Sequence, residues 1–378
     1  MIHEPRVVRR LLLEPELGFG EAYMDGSLEF SGDLQSLVMF AHRNFPEARR
    51  SAPRRAKPSL DLERQGRDIR FHYDRGNDFF RLFLDPTLTY SCAYFEKPGD
   101  SLEQAQRNKV RHSLRKLRLA PGETLLDIGS GWGHLLLRAA QIYHVEADGI
   151  TLSQEQFRES SNLLQTAHVP VKISLADYRN FAGRPGGYDK VITIGMIEHV
   201  GHSNLPTFVD RVTQFVKPGG LALLHCMTHP MENAPDPWVT RYIFPGGYIP
   251  SLRELIQLFP LRDLHVWDVE NLAPHYALTL DRWSENFERH LPEVRALFAG
   301  QDAERFIRMW RLYLRGAAAS FRCGLTHLHQ ILVSHGMPRT LPPTRADLYQ
   351  GTKVAEEQPV VMPSVKPIQP ARHGEISD

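Results

Sequence analysis

The chain is poor in cysteine. Its three, Cys92, Cys226 and Cys323, form neither a CxxC pair nor an even set that could close a disulfide framework. It also lacks any apolar run near the ~20 residues a membrane-spanning helix needs. Its beginning lacks the core of a signal peptide, because Leu11 to Leu13 is a short apolar stretch with acidic residues directly after it. Charge of one sign is missing too. Lys plus Arg number 45 against 44 for Asp plus Glu in 378 residues, which removes the global signature of a nucleic-acid binder. No internal repeat is present. These absences point to a soluble protein of a reducing compartment, and a 42% hydrophobic content supplies a sizeable core.

The organisation is uneven. Residues 1–45 read as a small helical appendage with turn-rich breaks at Gly18 to Gly20 and at Asp25-Gly26. Residues 46–60 read as a linker carrying Arg49, Arg50, Arg54, Arg55 and Lys57. The main domain occupies 61–349, and the Pro-rich tail 350–378 is expected to be disordered. Near 101–119 the Leu and Val spacing predicts an amphipathic helix with a basic outer face: Arg107, Lys109, Arg111, Arg115, Lys116 and Arg118. Short apolar runs at 124–129, 147–151, 171–175, 190–195 and 221–227 then alternate with helical stretches His134 to Tyr143, Ser153 to Ala167 and Leu205 to Val216. That alternation predicts an α/β fold with a parallel, doubly wound, Rossmann-like sheet. Pro230, Pro235, Pro237, Pro245 and Pro250 within 228–262 mark a lid or insertion. Helices at about 275–293 and 302–320 precede a last strand near 327–336.

The stretch Leu126-Asp127-Ile128-Gly129-Ser130-Gly131-Trp132-Gly133 lies between a strand and a helix. Its glycines permit a tight turn and close backbone approach to a ligand. The spacing is GxGxG with an acidic residue two positions ahead, not GxGxxG, and no Lys-Ser/Thr follows as a phosphate loop requires. A carboxylate there suits the cationic amino-acid end of S-adenosylmethionine better than a pyrophosphate; a nicotinamide cofactor is the competitor. Where a ribose-binding acid usually ends the second strand, this chain has Gly149-Ile150-Thr151. Asp148 reads as an ordinary strand residue, leaving Thr151 and Gln156 to supply polar partners.

The segments HYDRGNDFF (72–80), LTYSCAYF (88–95), LDIGSGWG (126–133), GITLSQEQ (149–156), GMIEHVG (195–201), LLHCM (223–227) and YIFPGG (242–247), in that order, resemble the cyclopropane-fatty-acyl-phospholipid synthase family, related to the mycolic acid cyclopropane synthases. The similarity runs from about Leu17 to His335. It implies transfer of a one-carbon unit from S-adenosylmethionine to the double bond of an unsaturated phospholipid acyl chain. It also implies a bound bicarbonate as base, caged by Cys92, Glu198, His225, Met227 and Tyr276. His225 and Tyr276 would donate to the anion, as would the backbone amides of Cys92 and Met227, while Glu198 would accept the bicarbonate hydroxyl proton.

By the same resemblance Tyr73 and Phe244 face the developing cation. Tyr90, Ser91, the loop with Asp127, Gly129, Gly131 and Gly133, then Thr151, Gln156, Tyr178 and Arg179 contact the cofactor, the last pair flanking adenine. Taken singly, Cys92 also reads as a small buried residue, and Tyr73 and Phe244 as core aromatics. Family members often carry a cysteine where this chain has Ala317, and their N-terminal lipid-contacting domain is longer. The expected setting is cytoplasmic, at the inner membrane face, reached through the basic linker and helix; a homodimer is left open. Rival readings are a methyl- or methylene-branched product, a small-molecule N-methyltransferase, and a non-enzymatic lipid-binding protein.

Overall fold

The computed structural model describes residues 1–44, 76–299, 302–338 and 341–349. The linker 46–60, Tyr73 and the tail 350–378 lie outside the described residues. Two units are separated near Pro343, and the second contributes only the short helix Ala346–Tyr349.

The helices of the first unit are α1 Pro5–Leu13, α2 Pro15–Met24, α3 Leu34–Asn44, α4 Asn77–Arg81, α5 Leu102–Leu117, α6 His134–Tyr143, α7 Gln154–Thr166, α8 Leu205–Phe215, α9 Pro237–Tyr242, α10 Leu252–Leu258, α11 Ala273–Arg289, α12 Leu291–Leu297 and α13 Ala303–Arg322. Its strands are β1 Thr124–Ile128, β2 Glu146–Thr151, β3 Val171–Leu175, β4 Tyr188–Ile194, β5 Val216–Thr228, β6 Leu264–Asn271 and β7 His327–His335. Together they make one seven-stranded sheet of order β3-β2-β1-β4-β5-β7-β6.

Five strands are parallel, as the alternation predicts, but β7 runs antiparallel to both β5 and β6. The sheet is therefore mixed. The sequence does not predict β6: three of its first four residues are exposed, and the strand is interrupted by an irregularity between Val266 and Asp268. An edge strand of that kind lacks the apolar run that marks a buried one.

Side-chain alternation sorts the sheet into two faces. Leu126, Ile128, Ala222, Leu224, Ile331 and Val333 pack with Phe208, Val209 and Val212 of α8. Leu125, Leu221, Leu223 and Leu332 pack instead with Val110, Leu114 and Leu117 of α5 and with Leu135, Leu136 and Ala139 of α6. A third core gathers aromatic residues from the loops and from α2, α4, α9, α11 and α13, among them Phe79, Phe80, Phe83, Trp238, Trp283 and Trp310. Met227 and Leu328, paired across β5 and β7, join it, so it caps the end of the sheet where β1, β4 and β5 finish.

The N-terminal helices belong to this cap. Tyr23, Met24 and Leu34 are buried in it, so residues 1–44 do not form a core of their own. The expected break at Gly18 to Gly20 is also absent, since both glycines lie inside α2. Small residues are needed there for packing: a Cβ on Gly20 would stand 2.1 Å from the Trp238 ring, and one on Gly18 2.9 Å from the Arg10 carbonyl. The break at Asp25-Gly26 is real, with Gly26 at φ +74°.

The basic helix is corrected as well. In α5, Lys109 and Lys116 are buried, Lys109 reaching the Ser91 hydroxyl (2.9 Å) and Lys116 the Glu270 carboxylate (2.6 Å). Arg107 pairs with Glu103 and Arg111 with Glu96. The face meant for an anionic surface is largely occupied by internal partners.

Candidate active site

The strand order reverses between β1 and β4, and a cleft opens there, where open α/β sheets bind ligands. Its walls include Tyr90, Ser91, Asp127, Gly129, Gly131, Gly133, Thr151, Gln156, Tyr178 and Arg179. The structure thus brings all ten expected cofactor residues to one cleft. Gly129, Gly131 and Gly133 have φ of +87°, +55° and +84°, a region that side chains rarely adopt. A Cβ on Gly131 would meet nothing within 4 Å, so the backbone there faces open cleft.

Asp127 closes β1 with its Oδ1 buried and without a partner among the described residues. Burial pushes its carboxyl up to about 7, opposed by the nearby Lys109 ammonium. An unpaired carboxylate needs a cation or donor, and a glycine loop beside it admits an amino-acid-bearing sulfonium. The residues therefore fit S-adenosylmethionine. Thr151 donates to Gln156 Oε1 (2.8 Å), leaving the Gln156 amide hydrogens for a ligand. Asp148 is bound instead by Arg184 (2.7 Å) and Tyr188 (2.8 Å), a structural role as expected. Arg179 is held by Asp177 (2.9 and 2.6 Å) with its guanidinium over the Tyr178 ring.

Several lining residues escaped the sequence reading: Lys109, Asp177, Met196 and His199. Lys109 had been assigned to a solvent face, and burial pulls its ammonium down to about 8 despite neighbouring Asp85, Cys92 and Asp127. Asp177 directly precedes the two adenine-site residues, a position that could have flagged it.

Next to the cleft, Glu198 stands on a turn after β4, directly before the lining residue His199, and His225 lies near the end of β5. Glu198 and His225 are both buried. Glu198 Oε1 accepts the Met227 backbone N–H at 2.6 Å, while its Oε2 is buried and unpartnered among the described residues. The Met227 amide was expected to serve the anion; Glu198 takes it instead, because a buried carboxylate binds the nearest amide. Burial pushes the Glu198 carboxyl up to about 7, partly offset by that bond.

His225 Nδ1 lies 3.0 Å from the Gln330 side-chain amide nitrogen, and its Nε2 is buried without a partner among the described residues. Burial holds its pKa well below the ordinary value, which favours the neutral ring. Glu198 Oε2 and His225 Nε2 are thus two buried polar atoms that each call for a hydrogen-bonding partner.

Cys92, Met227, Phe244 and Tyr276 all pack into the aromatic cap. The Cys92 thiol sits 3.2 Å from the Ala93 carbonyl, and burial pushes its pKa up, opposite to a nucleophile. The Tyr276 ring lies tilted against that of Phe321, centroids 4.7 Å apart. Phe244 lies 5.7 Å from both His199 and Tyr313, ring to ring, which puts it next to the cleft wall. Ala317 is packed against the same cap.

Fold and cleft together define an S-adenosylmethionine-dependent methyltransferase. Residues 60–331 match the mycolic acid cyclopropane synthetase family, to which the chain belongs, and residues 1–51 match a domain of unknown function. A "Probable fatty acid methyltransferase" of Pseudomonas putida is 37% identical, covering 93% of this chain and 91% of its own length. The cyclopropane-fatty-acyl-phospholipid synthase of Escherichia coli (strain K12) is 36% identical over 90% of this chain and 88% of its own. Among solved structures, a cyclopropane synthase from Mycobacterium tuberculosis superposes with a TM-score of 0.67 at 34% identity, over 71% of this chain and 98% of its own. A coclaurine N-methyltransferase reaches the same TM-score at 20% identity, covering 85% of this chain and 99% of its own, a likeness of fold alone.

Proposed function

We propose that this chain adds a methylene unit to the cis double bond of an unsaturated phospholipid acyl chain at a membrane surface, closing a cyclopropane ring. The cofactor supplies an electrophilic methyl on a sulfonium, and bicarbonate supplies the base. Asp127 holds the amino-acid end of the cofactor, and Gln156 with Thr151, Tyr178 and Arg179 holds its nucleoside end. Phe244 turns an aromatic face toward the acyl chain, stabilising positive charge there by about 0.5–2 kcal/mol. The buried aromatic cap keeps water from that charge.

His225 donates from Nε2 to the anion, and Glu198 accepts at Oε2. Their joint effect is to fix which anion oxygen faces the substrate. Cys92 and Tyr276 line the same apolar wall. The observation that carries this reading is the pair of unpartnered buried atoms, Glu198 Oε2 and His225 Nε2, which a plain small-molecule methyltransferase would not require.

Names borne by relatives favour a second outcome of the same transfer. The Pseudomonas putida protein and a tuberculostearic acid methyltransferase of Mycobacterium tuberculosis, 35% identical, are described as methyltransferases rather than cyclopropane synthases. A methylene branch forms when a hydride first shifts from the methylated carbon to the cationic carbon and a methyl proton then leaves to the base, whereas an unsaturated methyl-branched chain forms when the base takes a proton from a neighbouring chain carbon instead. The test is mass spectrometry of unsaturated phospholipid vesicles incubated with the protein and S-adenosylmethionine bearing a CD3 group. The ring retains two deuteriums and shows no alkene signal by NMR. A methylene branch retains two with a terminal alkene, and a methyl branch retains all three. No label in the lipid would overturn the acyl assignment.

A further inference from the structure

His225 pairs directly across β5 and β7 with Gln330, which pairs in turn with Glu270 on β6. Directly opposed residues share a sheet face, so the three form a polar row beneath α5. Gln330 is fully buried, and its amide nitrogen donates twice, to the Ser113 hydroxyl of α5 and to His225 Nδ1, each at 3.0 Å. The outer end of the row is fixed as well. Glu270 Oε2 meets His112 Nε2 at 2.7 Å and Lys116 Nζ at 2.6 Å. None of this contacts the cofactor cleft, so cofactor binding does not account for it.

The chemistry of imidazole gives the row a purpose. A neutral ring carries one proton, and the nitrogen that accepts a hydrogen bond cannot carry it. With Nδ1 accepting from Gln330, the proton stands on Nε2, the buried atom left unpartnered among the described residues. The charged and titratable groups around the ring, Lys109, Lys116, His112 and Glu270, supply three potential cations and one carboxylate; together with burial they disfavour an imidazolium.

We propose that Gln330, braced by Ser113, is a positioning residue that locks His225 as the Nε2–H tautomer, so that the anion meets a neutral donor of fixed direction. This deepens the anion-cage reading above and rests on it. A carboxylate at the same place would accept rather than donate, drawing the proton to Nδ1 and turning Nε2 into an acceptor that repels an anion.

The test begins with the unaltered protein, labelled with [15N]histidine, using long-range 15N–1H NMR and H225Q to assign the signal. The expected His225 pattern at neutral pH is Nδ1 bare and Nε2 protonated. An Nδ1–H tautomer or an imidazolium would overturn the proposal without any further variant. Q330E should switch the pattern and raise the bicarbonate concentration for half-maximal activity by about tenfold or more, with calorimetric S-adenosylmethionine affinity unchanged. Q330M, which neither donates nor accepts, should fall between the two. Unchanged bicarbonate dependence with a switched tautomer would sink the anion cage while leaving the Gln330–His225 lock standing.

Discussion

Burial pushes the carboxyls of Asp127 and Glu198 up to about 7 from ordinary values of 3.8 and 4.5. Between those limits the folded chain binds protons that the unfolded chain has released, so the stability contribution of each group falls as pH rises across that window. Substituting Glu198→Gln should therefore raise Tm, and more at about pH 8 than at about pH 5. The same change should lower kcat by about 10²–10³-fold while leaving cofactor affinity intact, because Glu198 does not line the cofactor cleft. A fall in affinity matching the fall in rate would contradict that division of roles. Asp127 behaves oppositely. A cationic ligand favours its ionised form, so cofactor binding below about pH 7 should release a proton and tighten as pH rises toward 7. Titration calorimetry in buffers of different ionisation enthalpy reads both effects, and D127N should abolish the pH dependence and bind about 10–100-fold more weakly.

At the scale of elements, legibility follows burial pattern. α6 and the buried parallel strands β1, β4 and β5 carry apolar stretches, and the sequence locates them to within a few residues. β6 does not, because an exposed, interrupted edge strand has neither a continuous run nor clean alternation. The basic stripe on α5 misled for a related reason: composition counts charges but cannot see that Lys116 faces Glu270, some 150 residues away. Gly18 and Gly20 imitate a turn, yet their cause is close packing. Gly20→Ala should force Trp238 from its place against Met24. The expected cost is about 1–3 kcal/mol, seen as a lower chemical-denaturation midpoint with an unchanged m-value. An unaltered midpoint would mean that α2 is not anchored on Trp238.

At the scale of the whole molecule, the cofactor half of the site was legible and the anion half only in part. The glycine loop and its acid are local in sequence, whereas His225 and Gln330 meet only across the antiparallel pair β5–β7, and Glu198 comes from a turn after β4. Their spacing carries no signal, and only the fold shows that Gln330 serves His225 and that Glu198 has already claimed the Met227 amide. In the proposed function the sheet divides the labour between two places: one binds the cofactor, the other presents buried Glu198 and His225 to the anion. The most direct measurement of that division is the initial rate of lipid alkylation in rigorously CO2-free buffer, with bicarbonate then restored. The rate should collapse and recover in the native chain, with cofactor binding constant throughout, and should show no such response in E198Q. A native rate indifferent to bicarbonate would contradict the account.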